Sequence, residues 1–362
     1  MFLRSLYLQH FRNYEEAYFE FNPTFNLIYG ANAQGKTSVL EAIYYLMTGR
    51  SFRSIQGTDL IKQGHSSFYL EAQFCKHQVD QQIKIGFDGQ ERRIFYNTTP
   101  LPSASGLFGL LSGVIMTPHD TQLIKGSPLL RRQFLDMQIA QIDPFYVHQL
   151  KRYTKAVQQR NRLLKTKQIL TIQSWEQEIC QAAAYLVLKR QETVQHLQNT
   201  CQRIYHSLTN EDKPLEIHYK TTLASTKTLE EIKQSQWDQL QRLRGREMLL
   251  GYTLTGPHKD DLYFHLDNKD IRHFASEGQQ RSCVTAARFA EWHGLKQMGG
   301  VTPLMMMDDV GLGLDHQRRH QLMTHLQSCG QVFLTTTDPT LLDAFTGISK
   351  QMIHISQGQR VI

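Results

Sequence analysis

Apolar residues recur with two different periods along this chain, and they separate its outer parts from its middle. Strands are predicted where short apolar or alternating runs occur, at residues 3–8, 83–87, 114–116, 262–266, 303–307 and 332–334. Between residues 126 and 249, long stretches rich in Leu, Gln, Lys, Arg and Ala contain few glycines, which favours helices. Ser127 followed by Pro128 is typical of the start of the first helix. The pattern therefore predicts a mixed α/β part interrupted by a helical insertion.

A glycine-rich loop lies between the predicted strand 25–29 and a predicted helix that begins near Lys36. Its letters, GANAQGKT, match the pattern G-x-x-x-x-G-K-[ST], in which backbone N–H groups surround the phosphates of a nucleotide. An incidental glycine turn would not explain the strand and helix on either side. Lys36 would reach the β- and γ-phosphates of ATP and support catalysis, and the Thr37 hydroxyl would coordinate Mg²⁺. The predicted ATP-binding residues of the loop are Gly30, Ala31, Asn32, Ala33, Gln34, Gly35, Lys36, Thr37 and Ser38.

Two carboxylates, Asp308 and Asp309, directly follow the apolar run 304–307. Beside a nucleotide loop, the first is predicted to hold Mg²⁺, and the second to orient or deprotonate the water that attacks ATP. An apolar strand that ends in two aspartates also often forms an ordinary surface turn. The Asp309 side chain is one methylene shorter than that of glutamate. If Asp309 is the catalytic residue, this shorter side chain favours slow hydrolysis of ATP.

The letters SEGQ at residues 276–279 precede a predicted helix and resemble the signature motif of ABC-type ATPases. That resemblance implies that Ser276, Gly278 and Gln279 contact the γ-phosphate held by a second copy of the chain. ATP would then join two copies into a homodimer, and hydrolysis would release them. The alternative is that Ser276 only caps the helix.

Positive charge is concentrated in the middle of the chain. The formal net charge is +7, and residues 125–250 contain twenty Lys and Arg against twelve Asp and Glu. Residues 144–175 contain no carboxylate at all. Either a solvated charged face or a face that contacts DNA phosphates accounts for such a run. The predicted DNA-binding residues share one face of a helix and are Lys151, Lys155, Arg162 and Lys165.

Apolar runs, the first residues and the cysteines together indicate in which part of the cell the protein is located. No apolar run approaches the length that spans a membrane, and the first residues lack the hydrophobic region of a signal peptide. The five cysteines are scattered and never form a C-x-x-C pair, which favours reduced thiols. These features predict a cytoplasmic protein without a membrane partner.

Several segments together resemble the RecF family of bacterial recombination and repair proteins. They follow one another in the order expected for that family: LQHFRNY at 8–14, GANAQGKT at 30–37, TGRSFRS at 48–54, LIKGSP at 123–128, TLTGPHKDD at 253–261 and FLTTTD at 333–338. The resemblance implies an α/β P-loop ATPase head of ABC type with an inserted, mainly helical second lobe. It also implies that Arg12 and Asn13 contact the nucleotide, although an ordinary strand end is the alternative for those two residues.

The same resemblance implies a function and a division of the chain. Residues 1–125 and 250–362 would form the head, and residues 126–249 the helical arm. The protein would be a weak, DNA-stimulated ATPase that acts as a switch on duplex DNA next to single-stranded gaps, where it would assist RecO and RecR in loading RecA. Gly313 departs from the family, which has Glu at that position, and so puts the communication between two nucleotide sites in question.

Two other function classes share the nucleotide motifs. A transporter's ATPase subunit would carry a switch histidine where residues 336–338 read Thr-Thr-Asp, and it would lack the basic insertion. A clamp of the chromosome-structure type would need a long coiled coil, but no sustained heptad repeat occurs. About 120 inserted residues folded into two legs reach ~90 Å at most.

Overall fold

The computed structural model describes residues 1–168, 170–224, 228–309, 316–340 and 349–361. Residues 310–315, which include the departure at Gly313, therefore lie outside the described residues. Contacts between Cα atoms divide the chain into two compact units. The first comprises residues 1–120, 207–210 and 285–362, and the second comprises residues 121–206 and 211–284.

The described strands occur mainly in the outer parts of the chain, as the apolar pattern predicts. Their bounds are β1 Phe2–Phe11, β2 Tyr14–Glu20, β3 Phe25–Tyr29, β4 Phe68–Lys76, β5 Val79–Phe87, β6 Arg92–Tyr96, β7 Thr99–Leu101, β8 Gly113–Met116, β9 Leu215–Lys220, β10 Asp261–Leu266, β11 Lys269–Asp270, β12 Leu304–Met307, β13 Val332–Thr336, β14 Lys350–Ser356 and β15 Gln359–Val361. The six apolar or alternating runs and the predicted strand 25–29 all fall on strands of the structure. The other eight described strands, β9 among them, were not predicted.

Helices dominate the middle of the chain, which confirms the prediction from its composition. The described α-helices are α1 Lys36–Thr48, α2 Gln122–Lys125, α3 Pro128–Ala140, α4 Pro144–Thr166, α5 Ile172–Thr209, α6 Leu229–Leu250, α7 Ile271–Phe274, α8 Glu277–Gly299 and α9 His316–Gln327. Short 3₁₀ segments occupy 57–60, 104–107, 118–121 and 257–259. Helix α3 begins at Pro128 with Ser127 as its N-cap residue, as predicted.

The first unit contains a six-stranded sheet in the order β15-β14-β3-β13-β12-β8, in which the five strands from β14 to β8 are parallel to their neighbours. The residues of β8, β12 and β13 are all buried. Parallel strands covered on both faces need such continuous apolar runs. Because their carboxyl ends meet at one edge, the loop after β3 and the aspartates after β12 lie at the same edge.

A second, antiparallel sheet of the first unit has the order β2-β1-β4-β5-β6-β7. Helix α1 shares its hydrophobic core with both sheets, since Ile43 and Leu46 cluster with Leu70 of β4 and with Phe333 of β13. The apolar residues of α1 are thereby buried. This packing fixes the direction in which the first turn of α1 points.

The second unit combines helices α3 to α6 with a three-stranded sheet in the order β11-β10-β9. Residues 250–284 belong to this unit, so the predicted boundary at residue 249 is wrong. The physical reason is that β10 pairs along its whole length with β9. The buried ion pair between Arg131 of α3 and Asp261 of β10, 2.7 Å apart, also holds this segment. The division between the units falls within α8, after residue 284.

Candidate functional site

At both ends of the loop after β3, the backbone has a conformation that glycine adopts more easily than any other residue. Gly30 has φ +152° and Gly35 has φ +114°. A Cβ atom on Gly30 would stand 2.2 Å from the carbonyl oxygen of Ile355, and one on Gly35 would stand 2.7 Å from Nδ2 of Asn13. Gly35 is the N-cap residue of α1, so the free backbone N–H groups of the first turn of that helix open into the loop. This is the geometry predicted for a phosphate-binding loop.

The side chain of Lys36 is folded into this loop. Its Nζ donates hydrogen bonds to the carbonyl oxygens of Gly30 and Ala31 at 2.8 and 2.7 Å. Burial lowers the pKa of the Lys36 ammonium, while the nearby Asp309 and Asp308 carboxylates act in the opposite direction. A buried ammonium whose partners among the described residues are two carbonyls is suited to the oxygens of a phosphate, which supply full negative charge.

Asp308 joins the loop to two neighbouring parallel strands. Its Oδ1 accepts hydrogen bonds from the hydroxyls of Thr37 at 2.8 Å and Thr335 at 2.7 Å. Burial raises the pKa of the Asp308 carboxyl, and these two hydrogen bonds oppose the shift. Hydroxyl and carboxylate oxygens are the ligands that Mg²⁺ prefers. The predicted metal pair of Thr37 and Asp308 therefore meets, and its chemistry fits Mg²⁺.

Asp309 has a left-handed backbone, with φ +51°. Its N–H donates to the hydroxyl of Thr335 at 2.8 Å, so one threonine holds both aspartates in place. Thr335 was missed by sequence reasoning. The available signal was a threonine near the carboxyl end of an apolar strand that neighbours the aspartate strand.

A cavity of about 870 Å³ brings the predicted nucleotide residues of the first unit together. It is lined by Arg12, Asn13, residues 32–38, Arg53, Asp59, residues 61–63 and Asp309. Gly30 and Ala31 are not among the lining residues, but their carbonyls accept hydrogen bonds from Lys36, which does line the cavity. The volume is within the range of pockets that enclose small-molecule ligands.

Arg12 reaches this cavity but is held from behind by Glu41 of α1. The guanidinium donates Nε and Nη2 to the two Glu41 oxygens at 2.8 and 2.7 Å, and Nη1 to the carbonyl of Asp59 at 2.7 Å. Glu41 is fully buried, and it also accepts from Ser51 Oγ and lies 3.7 Å from Arg53. Sequence reasoning missed Glu41. A carboxylate one helical turn after Thr37, in an otherwise apolar stretch, was the available signal.

Asn13 ties the end of β1 to the nucleotide loop. Its Nδ2 donates to the carbonyl of Gln34 at 2.9 Å, and its buried Oδ1 has no partner among the described residues. The hydroxyl of Tyr14 donates to the carbonyl of Gly35 at 3.1 Å. Asn13 therefore supports the loop from the side, which sequence reasoning did not anticipate.

The segment 276–279 belongs to the second unit, whereas the nucleotide loop belongs to the first. Ser276 and Gln279 form a capping box at the start of α8: Ser276 N–H donates to Gln279 Oε1 at 3.1 Å, and Gln279 N–H donates to Ser276 Oγ at 3.2 Å. Ser276 is exposed, Gly278 is half-buried, and Gln279 also donates to Glu211 at 3.1 Å. The N-terminus of a 23-residue helix is thus preorganised with its first residue accessible.

Helix α4 presents the predicted basic face to solvent. Lys151, Lys155, Arg162 and Lys165 are all exposed, while Tyr153, Val157 and Leu164 on another side of the helix are buried. The four basic residues therefore lie on a solvent-exposed side of one helix. Contact of its basic face with DNA stays a prediction.

The other arginines of α4 are neutralised inside the second unit. Arg152 forms a two-fold ion pair with Glu178 at 2.6 and 2.8 Å. Arg160 is fully buried and lies 2.9 Å from Glu176 and 2.7 Å from Glu247. These two arginines were not among the predicted DNA-binding residues, and their charge is compensated by carboxylates of α5 and α6 that are distant in the sequence.

The chain matches the family described as RecF/RecN/SMC N terminal domain over residues 2–360. It is 58% identical over 344 residues to the DNA replication and repair protein RecF of Protochlamydia amoebophila (strain UWE25), covering 95% of this chain and 96% of that protein. It is 36% identical over 362 residues to the RecF protein of Chlamydia muridarum (strain MoPn / Nigg), covering 99% and 98%. Along the described ranges, every helix is too short or too polar to cross a lipid bilayer.

Solved structures give the same picture. A structure of the recombination mediator protein RecF with ATP in the RecFOR pathway superposes with a TM-score of 0.90 at 26% identity, covering 100% of this chain and 98% of that chain. The Smc head domain with an extended coiled coil from Pyrococcus furiosus has a TM-score of 0.58 at 15% identity, covering 99% and 95%, and shows the shared fold alone.

Proposed function

The chain belongs to the RecF family of DNA replication and repair proteins, and from that premise we propose that it is an ATP-controlled switch that binds DNA at gaps. The fold is the ABC-type ATPase head of that family. A related protein of known structure is described with ATP, which supports ATP as the nucleotide of this chain.

One observation carries the nucleotide part of the proposal: Lys36, Thr37, Asp308 and Thr335 converge at the first turn of α1. Lys36 and the free N–H groups of that turn would hold the phosphates. Thr37 and Asp308 would hold Mg²⁺, which neutralises phosphate charge when bound. Asp309, at the rim of the same cavity, would orient the attacking water.

The capping box at Ser276 supports the proposal that ATP joins two copies of the chain. An exposed serine at the N-terminus of a long helix is suited to a phosphate that another copy presents. Each nucleotide would then lie between the loop of one copy and the signature segment of its partner.

Ser276→Arg is expected to abolish ATP-dependent dimers while ATP binding by the single chain stays unchanged. The long side chain would occupy the position of the partner's phosphate. Ser276 is not among the residues that line the nucleotide cavity of the first unit, so ATP binding by the single chain should not change. Sedimentation velocity with and without ATP measures the dimer, and titration with a fluorescent ATP analogue measures binding. Ser328→Arg adds the same charge at another exposed serine and should dimerise normally. Normal dimers of Ser276→Arg with ATP would contradict the role of the signature segment.

Asp309→Asn is expected to have the opposite effect and to trap the dimer with ATP. The amide keeps the size of the side chain and the backbone bond to Thr335, but it cannot accept a proton from water. Phosphate release should fall by at least about tenfold, and the ATP-bound dimer should dissociate more slowly than that of the wild type. Turnover at the wild-type rate would exclude Asp309 as the catalytic residue.

The DNA part of the proposal rests on the exposed basic face of α4. We infer that this face binds the backbone of duplex DNA next to a single-stranded gap, and that the protein there assists RecO and RecR in loading RecA. Related proteins are described in the RecFOR pathway, which supports these partners. Sedimentation with gapped duplex, intact duplex and single strands, each with and without ATP, tests the preference. Equal binding to all three would contradict it.

The dimensions of the second unit support a compact arm rather than a tether. Its longest helix, α5, has 38 residues and is therefore about 57 Å long. Helices α4 and α6 have 23 and 22 residues and contribute to a common core with α5, in which Tyr153, Leu186 and Leu240 are buried. We therefore favour a repair ATPase over a long-armed chromosome clamp or a transporter subunit.

A further inference from the structure

Two histidines and a glutamate share one face of the β9–β10 pair in the second unit. Glu216 lies directly opposite His265 in the register, and His218 is two residues further along β9. Alternate residues of a strand point to the same side, so Glu216 and His218 share a face. The alternating residues on the other side, Leu215 and Leu266 among them, are buried. The three polar side chains therefore stand on a rigid, hydrogen-bonded backbone.

Their ligand atoms are already close together. One nitrogen of each imidazole and one carboxylate oxygen all lie within 4.8 Å of one another. Nε2 of His218 is 2.9 Å from Oε2 of Glu216. The two rings are 4.9 Å apart and inclined by 54°, so their in-plane lone pairs can converge on one point. His218 is exposed and the other two are half-buried, which leaves room for a water molecule.

We propose that Glu216, His218 and His265 form a binding site for a transition-metal ion of the Zn²⁺ class. Two imidazoles and one carboxylate, with water in the fourth position, are a common ligand set for Zn²⁺. The ion would replace the hydrogen bond between His218 and Glu216 and would link two strands that are distant from each other in the sequence. The site is separate from the nucleotide residues, which belong to the first unit.

A second group of the same composition, His10, Glu15 and His65, serves as the natural comparison. There Glu15 is paired with Lys62 at 2.8 Å, so its charge is already compensated. The two rings are stacked 3.8 Å apart with an angle of only 21° between their planes. An imidazole binds an ion that lies close to the plane of its ring, and one ion cannot lie close to two stacked planes, so the β9–β10 group is the better site.

The bound ion would act on the stability of the sheet that leads to the signature segment. Strand β10 continues through β11 and α7 to Ser276, and the Asp270 carboxylate at the end of β11 caps α7 by accepting from Arg272 N–H at 2.9 Å. Anything that binds the folded state alone raises the melting temperature. Cross-linking β9 to β10 would therefore stabilise the base on which the signature helix begins.

The test is a competition titration of the metal-stripped full chain with Zn²⁺ and a chromophoric chelator, in excess Mg²⁺ and reducing agent. One Zn²⁺ per chain is expected for the wild type. Glu216→Gln, which keeps the shape of the side chain, and His265→Ala should each weaken binding by at least about tenfold. His10→Ala, the matched control from the other group, should bind as the wild type does. Zn²⁺ should raise the melting temperature of the wild type and of His10→Ala, but not that of His265→Ala.

Two results would overturn the proposal. The first is the absence of saturable Zn²⁺ binding by the folded wild type. The second is stoichiometric binding that survives in Glu216→Gln and His265→Ala or disappears in His10→Ala. Circular dichroism of each variant without metal verifies that the fold is intact, and Glu216→Gln provides the answer if His265→Ala does not fold.

Discussion

ATP binding is expected to fall by roughly 100-fold or more when Lys36 is replaced by alanine. The Lys36 ammonium lies inside the loop, within hydrogen-bond distance of the Gly30 and Ala31 carbonyls, where it is poised for phosphate oxygens. Each hydrogen bond between charged groups contributes about 1.5–3 kcal/mol, and alanine removes at least two of them. Equilibrium titration with a fluorescent ATP analogue measures the change in affinity.

The matched control for this change is Lys62→Ala. Lys62 also lines the cavity, but its ammonium pairs with Glu15 at 2.8 Å and does not enter the loop. Its removal should alter ATP affinity far less than the Lys36 change does. If Lys36→Ala bound ATP within about twofold of the wild type, the loop would not be the nucleotide site.

Reversing the charge of Lys151, Lys155, Arg162 and Lys165 to glutamate is expected to remove most DNA binding. The four side chains are exposed on one face of α4. Binding to phosphates carries no base information, so the affinity should fall similarly on DNA of unrelated sequences. The slope of log affinity against log salt should become shallower by about 0.9 for each phosphate that the variant no longer neutralises. Fluorescence anisotropy of labelled duplex over a range of salt concentrations measures both quantities.

The control for the charge reversal must change the net charge equally. Glutamate at Arg4, Arg93, Lys350 and Arg360, all exposed in the first unit, also takes the formal net charge from +7 to −1. This variant should keep the salt slope of the wild type if α4 binds the phosphates. An unchanged slope and affinity in the α4 variant, with ATP-dependent dimers preserved, would place the DNA path elsewhere.

The parts of the site that could be predicted are those encoded by neighbouring residues. The nucleotide loop and the first turn of α1 are contiguous, and Asp308 follows an apolar run that ends at the same sheet edge. The local signals at Glu41 and Thr335 do not specify a partner, because their roles depend on pairings with Arg12 and Asp308, which are 29 and 27 residues distant. The packing of α1 against the antiparallel sheet brings Glu41 to Arg12, and the pairing of β12 with β13 brings Asp308 to Thr335.

The fold shows the same dependence on distant pairings. Apolar periodicity found six strand runs, yet the short β9 lies in a segment that composition assigns to helices. Because β9 is not recognised in the sequence, the strand at 261–266 has no predicted neighbour in a sheet. From the sequence alone, it is therefore assigned to the head. Its pairing with β9 moves the boundary from residue 249 to residue 284 and places Ser276 in the second unit.

The buried ion pairs of Arg160 determine the rotational phase of α4. An apolar stripe alone tolerates rotation of a helix about its axis, because one apolar side chain can replace another in the core. Arg160 restricts that freedom, since it pairs with both Glu176 and Glu247. Turning it away would take the arginine partner from the buried Glu247 and leave Glu176 with Arg244 alone. Breaking such a buried pair costs about 3–5 kcal/mol. The buried ion pairs of Arg160 therefore keep Lys155 and Arg162 on the solvent-exposed side of the helix.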